Sequence, residues 1–535
     1  MKRQTFRLIW CSALCLVLGA CGESDLARSD LAGASESMPA ADGNTSSGGQ
    51  GSAPSAGQAD SDGGASADAG EASGDVVTGV EPGVDDEVTP ADEPLWVQLS
   101  PDDSTSMASA QIFKAGSWSY QPLKAHEFIN YYDAPAGQFE AEPWALQESL
   151  GAGLDFGLVA DRFTTDSGPM IDCEAGDDCA ERGEYEVAEV LFQLRAESVD
   201  LSERRGWNIF LCVDVSGSMG GEKMDFTRKA LRATVGNMRA GDKLTLVSFS
   251  TDARTIFTAL DVEESREEIM TAIDRLSPGG STNMLAGLDM TYDLAQENYD
   301  VEMLHRVLLF GDGNANVGNN DIDRYESLTR INGQEGIYLT GVGVGTDYDL
   351  ERMDRLTDAG KGAHIFLPNE EEVDLIFGDY FTKLVEVAAD SIEIVMELPA
   401  GTTLESFSGE EVSTNPEERV QNVIIAAGDD MTFTARFAVE REEAWGEPVK
   451  LSISYRALGT GELLTQDFEV ERFSDLVATP GALFKRTRLI RDFAFHATGQ
   501  THPDLKTPSE LSGEMDLIEG DWAITELREL TYRLY

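Results

Sequence analysis

The chain has 535 residues, and its 97 acidic against 40 basic side chains give a formal charge of −57. A balance this negative excludes nucleic acid as a partner and excludes electrostatic attachment to anionic lipid, because either polyanion would be repelled. The same charge, spread over a folded surface, keeps that surface solvated and resists aggregation.

At the start of the chain, Lys2, Arg3 and Arg7 precede an apolar run over 8–18 that ends in small residues, the pattern of an export signal. The run is too short to span a bilayer as a helix. It closes with Leu18-Gly19-Ala20-Cys21, which resembles the lipobox of bacterial lipoproteins. That resemblance implies a lipid on Cys21 and membrane contact through it. Gly22 in place of Asp implies delivery to the outer membrane, so the expected location is the cell envelope. Residues 22–94 are mostly Gly, Ala, Ser, Asp and Glu, with almost no large apolar side chains and Arg28 as the one basic residue. Such a segment buries too little apolar surface to offset its chain entropy and reads as a disordered acidic tether. Its flexible-chain span is on the order of 45 Å.

Residues 95–204 read as an N-terminal flanking region, β-rich with a short helix. The strand is expected over 185–194, where apolar residues partly alternate, and the helix over 123–132. Cys173 and Cys179 bracket an acidic loop, and outside the cytoplasm that spacing suggests a disulfide. A zinc site there lacks a nearby His or further Cys.

Over 205–388 short apolar runs alternate with helical patterns, which predicts an α/β, doubly wound, mostly parallel sheet. Strands are expected over 208–213, 244–249, 306–310, 336–342 and 363–367. Helices are expected over 223–238, 265–276, 284–297, 321–332 and 349–359. Cys212, inside the first apolar run, reads as a buried thiol. Ligand sites in such sheets form in the loops beyond the carboxyl ends of the strands, and those loops hold the unusual polar residues. Asp214, Ser216 and Ser218 follow the first strand, Thr282 follows Gly279-Gly280-Ser281, and Asp312 stands between Gly311 and Gly313. Two carboxylates and three hydroxyls suit a hard cation that wants several oxygen ligands and keeps an open position.

These residues resemble the metal-ion-dependent adhesion site of the von Willebrand factor A family. The resemblance implies Mg²⁺, or Ca²⁺ or Mn²⁺, held by Asp214, Ser216, Ser218, Thr282 and Asp312. It also implies that an Asp or Glu of a protein partner completes the shell. Gly311 departs from the pattern, which commonly has Thr there. Other motifs fall short: 312–323 imitates a calcium loop but has Val317 where Gly is required. The glycines at 341, 343 and 345 lack the spacing of a dinucleotide fingerprint. The five histidines show no pairing with a nucleophile.

Residues 389–475 read as a second β-rich flank, with clean alternation over 391–397, 431–439 and 450–455, and 476–535 as mostly helical, with a helix over 482–495. Both flanks together are expected to build an antiparallel region into which the α/β domain is inserted. With the stretch Glu127-Phe128-Ile129-Asn130-Tyr131-Tyr132, the arrangement resembles a bacterial lipoprotein family in which a type A domain carries its own extensions. The function expected is metal-dependent protein binding, adhesion or scaffolding, without catalytic residues. The alternatives are a structural envelope component with a stabilising metal and a metal-dependent hydrolase.

Overall fold

The computed structural model describes residues 93–116, 122–132, 137–165, 184–316, 318, 321–345, 348–458 and 460–535. The export signal, Cys21 and nearly all of the tether lie outside the described residues, as do Cys173 and Cys179.

The N-terminal flank holds β1 (Leu95–Ser100), helices α1 (Ala108–Ala115), α2 (Ala125–Tyr131) and α3 (Gln138–Ala141), then β2 (Leu146–Gly151), β3 (Leu154–Thr165) and β4 (Tyr185–Ala196). Three helices therefore replace the single one expected. α1 escapes a reading by periodicity because its polar residues Ser109 and Gln111 are buried. Gln111 is satisfied by Glu372 and by the Phe366 N–H, both some 250 residues away.

The α/β part runs β5 (Gly206–Asp214), α4 (Glu222–Asn237), β6 (Lys243–Phe249), β7 (Ala253–Asp261), α5 (Arg266–Asp274), α6 (Met284–Glu297), β8 (Met303–Gly311), α7 (Ile322–Gln334), β9 (Ile337–Val344), α8 (Leu350–Ala359) and β10 (His364–Leu367), followed by short helices α9 (Glu370–Asp374) and α10 (Phe381–Val385). Its sheet has the order β10-β9-β8-β5-β6-β7. Every pair is parallel except the edge pair β6/β7. Helices cover both faces, and β5 shows why. Trp207, Ile209, Leu211 and Val213 join a core with α4 and α5, whereas Phe210 and Cys212 join one with α6 and α8. Alternate side chains of a strand point to opposite faces, so a strand covered on both sides reads as one unbroken apolar run.

The chain then returns through β11 (Val387–Leu398), β12 (Thr402–Phe407), β13 (Glu411–Ser413), β14 (Val423–Ala426), β15 (Asp430–Val439), β16 (Val449–Ala457) and β17 (Leu463–Val470), and ends in α11 (Ala482–Thr498), α12 (Pro508–Met515) and α13 (Trp522–Leu530). Both antiparallel sheets combine the two flanks. β1 lies between β11 and β13, and β4 pairs along its length with β15. The sheets share a core: Phe156 of β3 meets Phe468 of β17 with ring centroids 4.9 Å apart, and Phe192 stacks on Phe433. Of the terminal helices, α11 brings Phe493 against Phe113 of α1 and Phe128 of α2. No described helix is long and apolar enough to cross a membrane.

Candidate metal centre

The register of the parallel sheet brings the ends of β5 and β8 side by side, with Val213 opposite Phe310. Asp214 and Asp312 therefore leave adjacent strand ends, and both are fully buried. Asp214 Oδ1 accepts the Ser216 N–H at 2.7 Å, which turns the chain into the short 3₁₀ segment at Gly217–Met219. Ser216 Oγ lies 3.0 Å from Ser218 Oγ; Ser216 is buried and Ser218 is exposed. The second loop is clasped to the first by two backbone bonds, Gly217 N–H to Gly280 O at 3.0 Å and Gly279 N–H to Val215 O at 2.7 Å. Thr282, buried, sits in that clasp just before the Asn283 cap of α6.

In the third loop Gly313 has a φ of +73°, and a Cβ there would lie 2.9 Å from Asp349 Cβ. Glycine is required on both counts. A Cβ on Gly311 would stand 3.2 Å from Asp214 Cβ, so a small residue leaves room where the Asp214 carboxylate turns.

Two residues that sequence patterns did not single out complete the arrangement. Lys223, the second residue of α4, places Nζ 3.0 Å from Asp312 Oδ2. Asn316 ties the second and third loops, accepting the Thr282 N–H on Oδ1 at 2.9 Å and donating its own N–H to Thr282 O at 3.0 Å. Nothing in the sequence distinguishes a lysine on an amphipathic helix from a solvated one. Beside these loops a cavity of about 370 Å³ reaches from Val215 and Gly279 to Arg254, Arg275 and Asp252.

The donor set fits a divalent cation. Asp214 Oδ2 is buried without a hydrogen-bond partner, a costly arrangement for an oxygen that carries charge. Lys223 supplies one positive charge against two carboxylates. Burial pushes the Asp214 carboxyl up to about 7, opposed by its hydrogen bonds from Ser216 and reinforced by Asp312. A cation would reverse that shift by binding only the ionised form. A pH dependence follows. Mg²⁺ affinity, measured by calorimetry, is expected to rise roughly tenfold per unit from pH 5 to about 7 and then level, as one proton is displaced. A flat profile across that range would mean that Asp214 is not displaced of its proton by the metal.

The histidines stand elsewhere. His305 bonds Asp300, His496 bonds the Lys506 carbonyl, His502 faces Asp492, His126 faces Asp102, and His364 lies beside Glu127 and Asp354. Cys212 is buried, and its thiol is pushed up to about 12 by that burial.

Residues 208–378 match the family model of the von Willebrand factor type A domain. The uncharacterized protein YfbK of Escherichia coli (strain K12) is 28% identical over 225 residues, 42% of this chain and 39% of that protein. Inter-alpha-trypsin inhibitor heavy chain H2 of Sus scrofa is 29% identical over 163 residues, 29% of this chain and 17% of that protein. The chain thus spans well under two thirds of either relative. Among solved structures, the von Willebrand factor type A protein from Catenulispora acidiphila is 14% identical, with 70% of this chain and 87% of that one covered and a TM-score of 0.44. Residues 208–378, which the family model matches, form a von Willebrand factor type A domain.

Proposed function

We propose that this chain is a lipid-anchored envelope protein that binds a protein partner through a divalent cation held in the loops of its type A domain. Asp214, Ser216, Ser218, Thr282 and Asp312 would hold the ion, Mg²⁺ by the hardness of the donors. When bound, the ion offers a Lewis-acidic position to a carboxylate of the partner. The observation that carries the reading is the buried, unpartnered Asp214 Oδ2 beside the buried Asp312, at loops whose outer residue, Ser218, faces solvent. Arg254 and Arg275 in the adjoining cavity favour an acidic partner on an otherwise acidic chain. The anchor rests on Cys21 and its lipobox, with 22–94 as the tether that carries the folded part away from the lipid, and the outer membrane as the destination.

The test is recovery of partners from cell envelopes by the detergent-solubilised chain in Mg²⁺, in EDTA, and with Asp312→Ala in Mg²⁺. A partner retained in the first arm and lost in the other two is expected. The same proteins in all three arms would overturn the reading. For the anchor, a Cys21→Ser chain should leave the detergent phase; one that stays there is not held by lipid on that residue.

A further inference from the structure

A second group of ligand-type side chains lies buried where the N-terminal helices meet the outer edge of the type A domain. Glu127 comes from α2, Asp354 from α8 and His364 from the first position of β10. Glu127 and His364 are 1% exposed and Asp354 is 8% exposed. His364 Nδ1 lies 3.6 Å from Glu127 Oε1 and 3.7 Å from Asp354 Oδ1, and the three atoms all fall within 4.8 Å of one another. These separations are too long for hydrogen bonds. They approach the spacing of about 3.4 Å between ligands that each stand 2.0–2.1 Å from a tetrahedral zinc. Glu127 Oε1 and His364 Nδ1 have no hydrogen-bond partner, although both are buried.

The other atom of each group is held from outside. Glu127 Oε2 accepts the Ser109 N–H at 2.6 Å, Asp354 Oδ2 meets Lys124 Nζ at 2.6 Å, and His364 Nε2 meets Tyr348 Oη at 2.6 Å. Outer partners of this kind fix ligand orientation and, for histidine, the tautomer that leaves the metal-facing nitrogen unprotonated. Charge points the same way. Asp102, Asp358 and Glu410 crowd the same region, and the lysine in contact with the cluster, Lys124, is shared between Asp354 and Glu410. One imidazole with two carboxylates selects a zinc-class ion over Mg²⁺ or Ca²⁺.

We propose that Glu127 Oε1, Asp354 Oδ1 and His364 Nδ1 bind a zinc ion that staples α2 to α8 and β10, separately from the loop site of the type A domain. Three protein ligands leave the fourth tetrahedral position to a water, and the ion would close the N-terminal flank onto the domain's edge strand. The experiment uses the full chain carrying Asp312→Ala, so that zinc cannot be held at the loops. After incubation with zinc and desalting, elemental analysis should find about one zinc per chain, as one site requires. Glu127→Gln or His364→Asn in that background should reduce it below about a tenth of that value. Cobalt(II) loaded into the same parent chain should show the visible absorption of a four-coordinate site, a readout that needs no variant at the cluster. Zinc absent from the parent, zinc undiminished in both variants, or cobalt without that absorption would each overturn the proposal.

Discussion

Replacing Asp214 with Asn is expected to move metal affinity and metal-free stability in opposite directions. The variant keeps an Oδ1 acceptor for the Ser216 N–H but loses the charge that a cation needs. Mg²⁺ affinity should fall by more than about 100-fold, since one charged, hydrogen-bonded contact in a buried site contributes roughly 3 kcal/mol or more. Without metal the charge is a burden. Burial raises the folded-state carboxyl to about 7 from its ordinary 3.8, so the native chain holds more protons than the unfolded one between those values. Stability from this group therefore declines as pH rises through that window. At pH 8 the full shift corresponds to about 4 kcal/mol against the fold, from which about 1–3 kcal/mol is lost again because the new amide N–H₂ lacks an acceptor. Asp214→Asn should thus stabilise the EDTA-treated chain by about 1–3 kcal/mol at pH 8. At pH 5, where the wild-type carboxyl is already protonated, that gain should vanish. Denaturant titrations in EDTA at the two pH values check it. A variant less stable than wild type at pH 8 would show that Asp214 is not a strained, metal-awaiting carboxylate but a satisfied one.

How far the molecule was legible in its sequence depends on where each element gets its partners. β5 and β8 were readable because both faces are covered, which leaves 208–213 and 306–310 as apolar runs. β7 was not: along Ala253–Asp261 Phe257 is the one buried position, so neither alternation nor an apolar run marks this antiparallel edge. α1 stayed hidden because Ser109 and Gln111 find their partners across the chain. The loops show the same division. Asp214, Ser216, Ser218, Thr282 and Asp312 stand out as small polar residues directly after strands or before a helix, and the fold sets those loops side by side. Lys223 and Asn316 do not stand out, because their roles exist only once strand order has placed α4 against Asp312 and the third loop against Thr282. The cluster of Glu127, Asp354 and His364 draws on segments more than 200 residues apart, a distance over which local pattern carries nothing.

That same dependence on distant partners makes Glu189→Ala the most damaging single change expected in the flanks. Glu189 of β4 is 2% exposed and receives Arg491 and Arg488, both from α11; Arg488 also reaches Asp161 of β3, and Arg491 reaches Asp492. Burial by itself would push the Glu189 carboxyl up, but the two guanidiniums outweigh it and hold the group at about 2. The stability it contributes is therefore present above the ordinary carboxylate range and is lost as pH falls towards about 2. Removing one member of a buried network leaves its partners charged and undercompensated, which costs about 3–5 kcal/mol. The lower end applies here, because Asp492 remains on Arg491 and Asp161 on Arg488. A loss of about 3 kcal/mol by denaturant titration at pH 7 is the expected result. Glu397→Ala offers the contrast: on β11 it faces Lys450 of β16 at the surface, with both side chains about half exposed, and screening by water leaves such pairs little to lose. If the two variants proved equally mild, apolar packing such as that of Leu483 and Phe484 on Val159 and Leu191 would suffice to hold the terminal helices to the sheet. The arginines of α11 would then only decorate a contact that hydrophobic burial already secures.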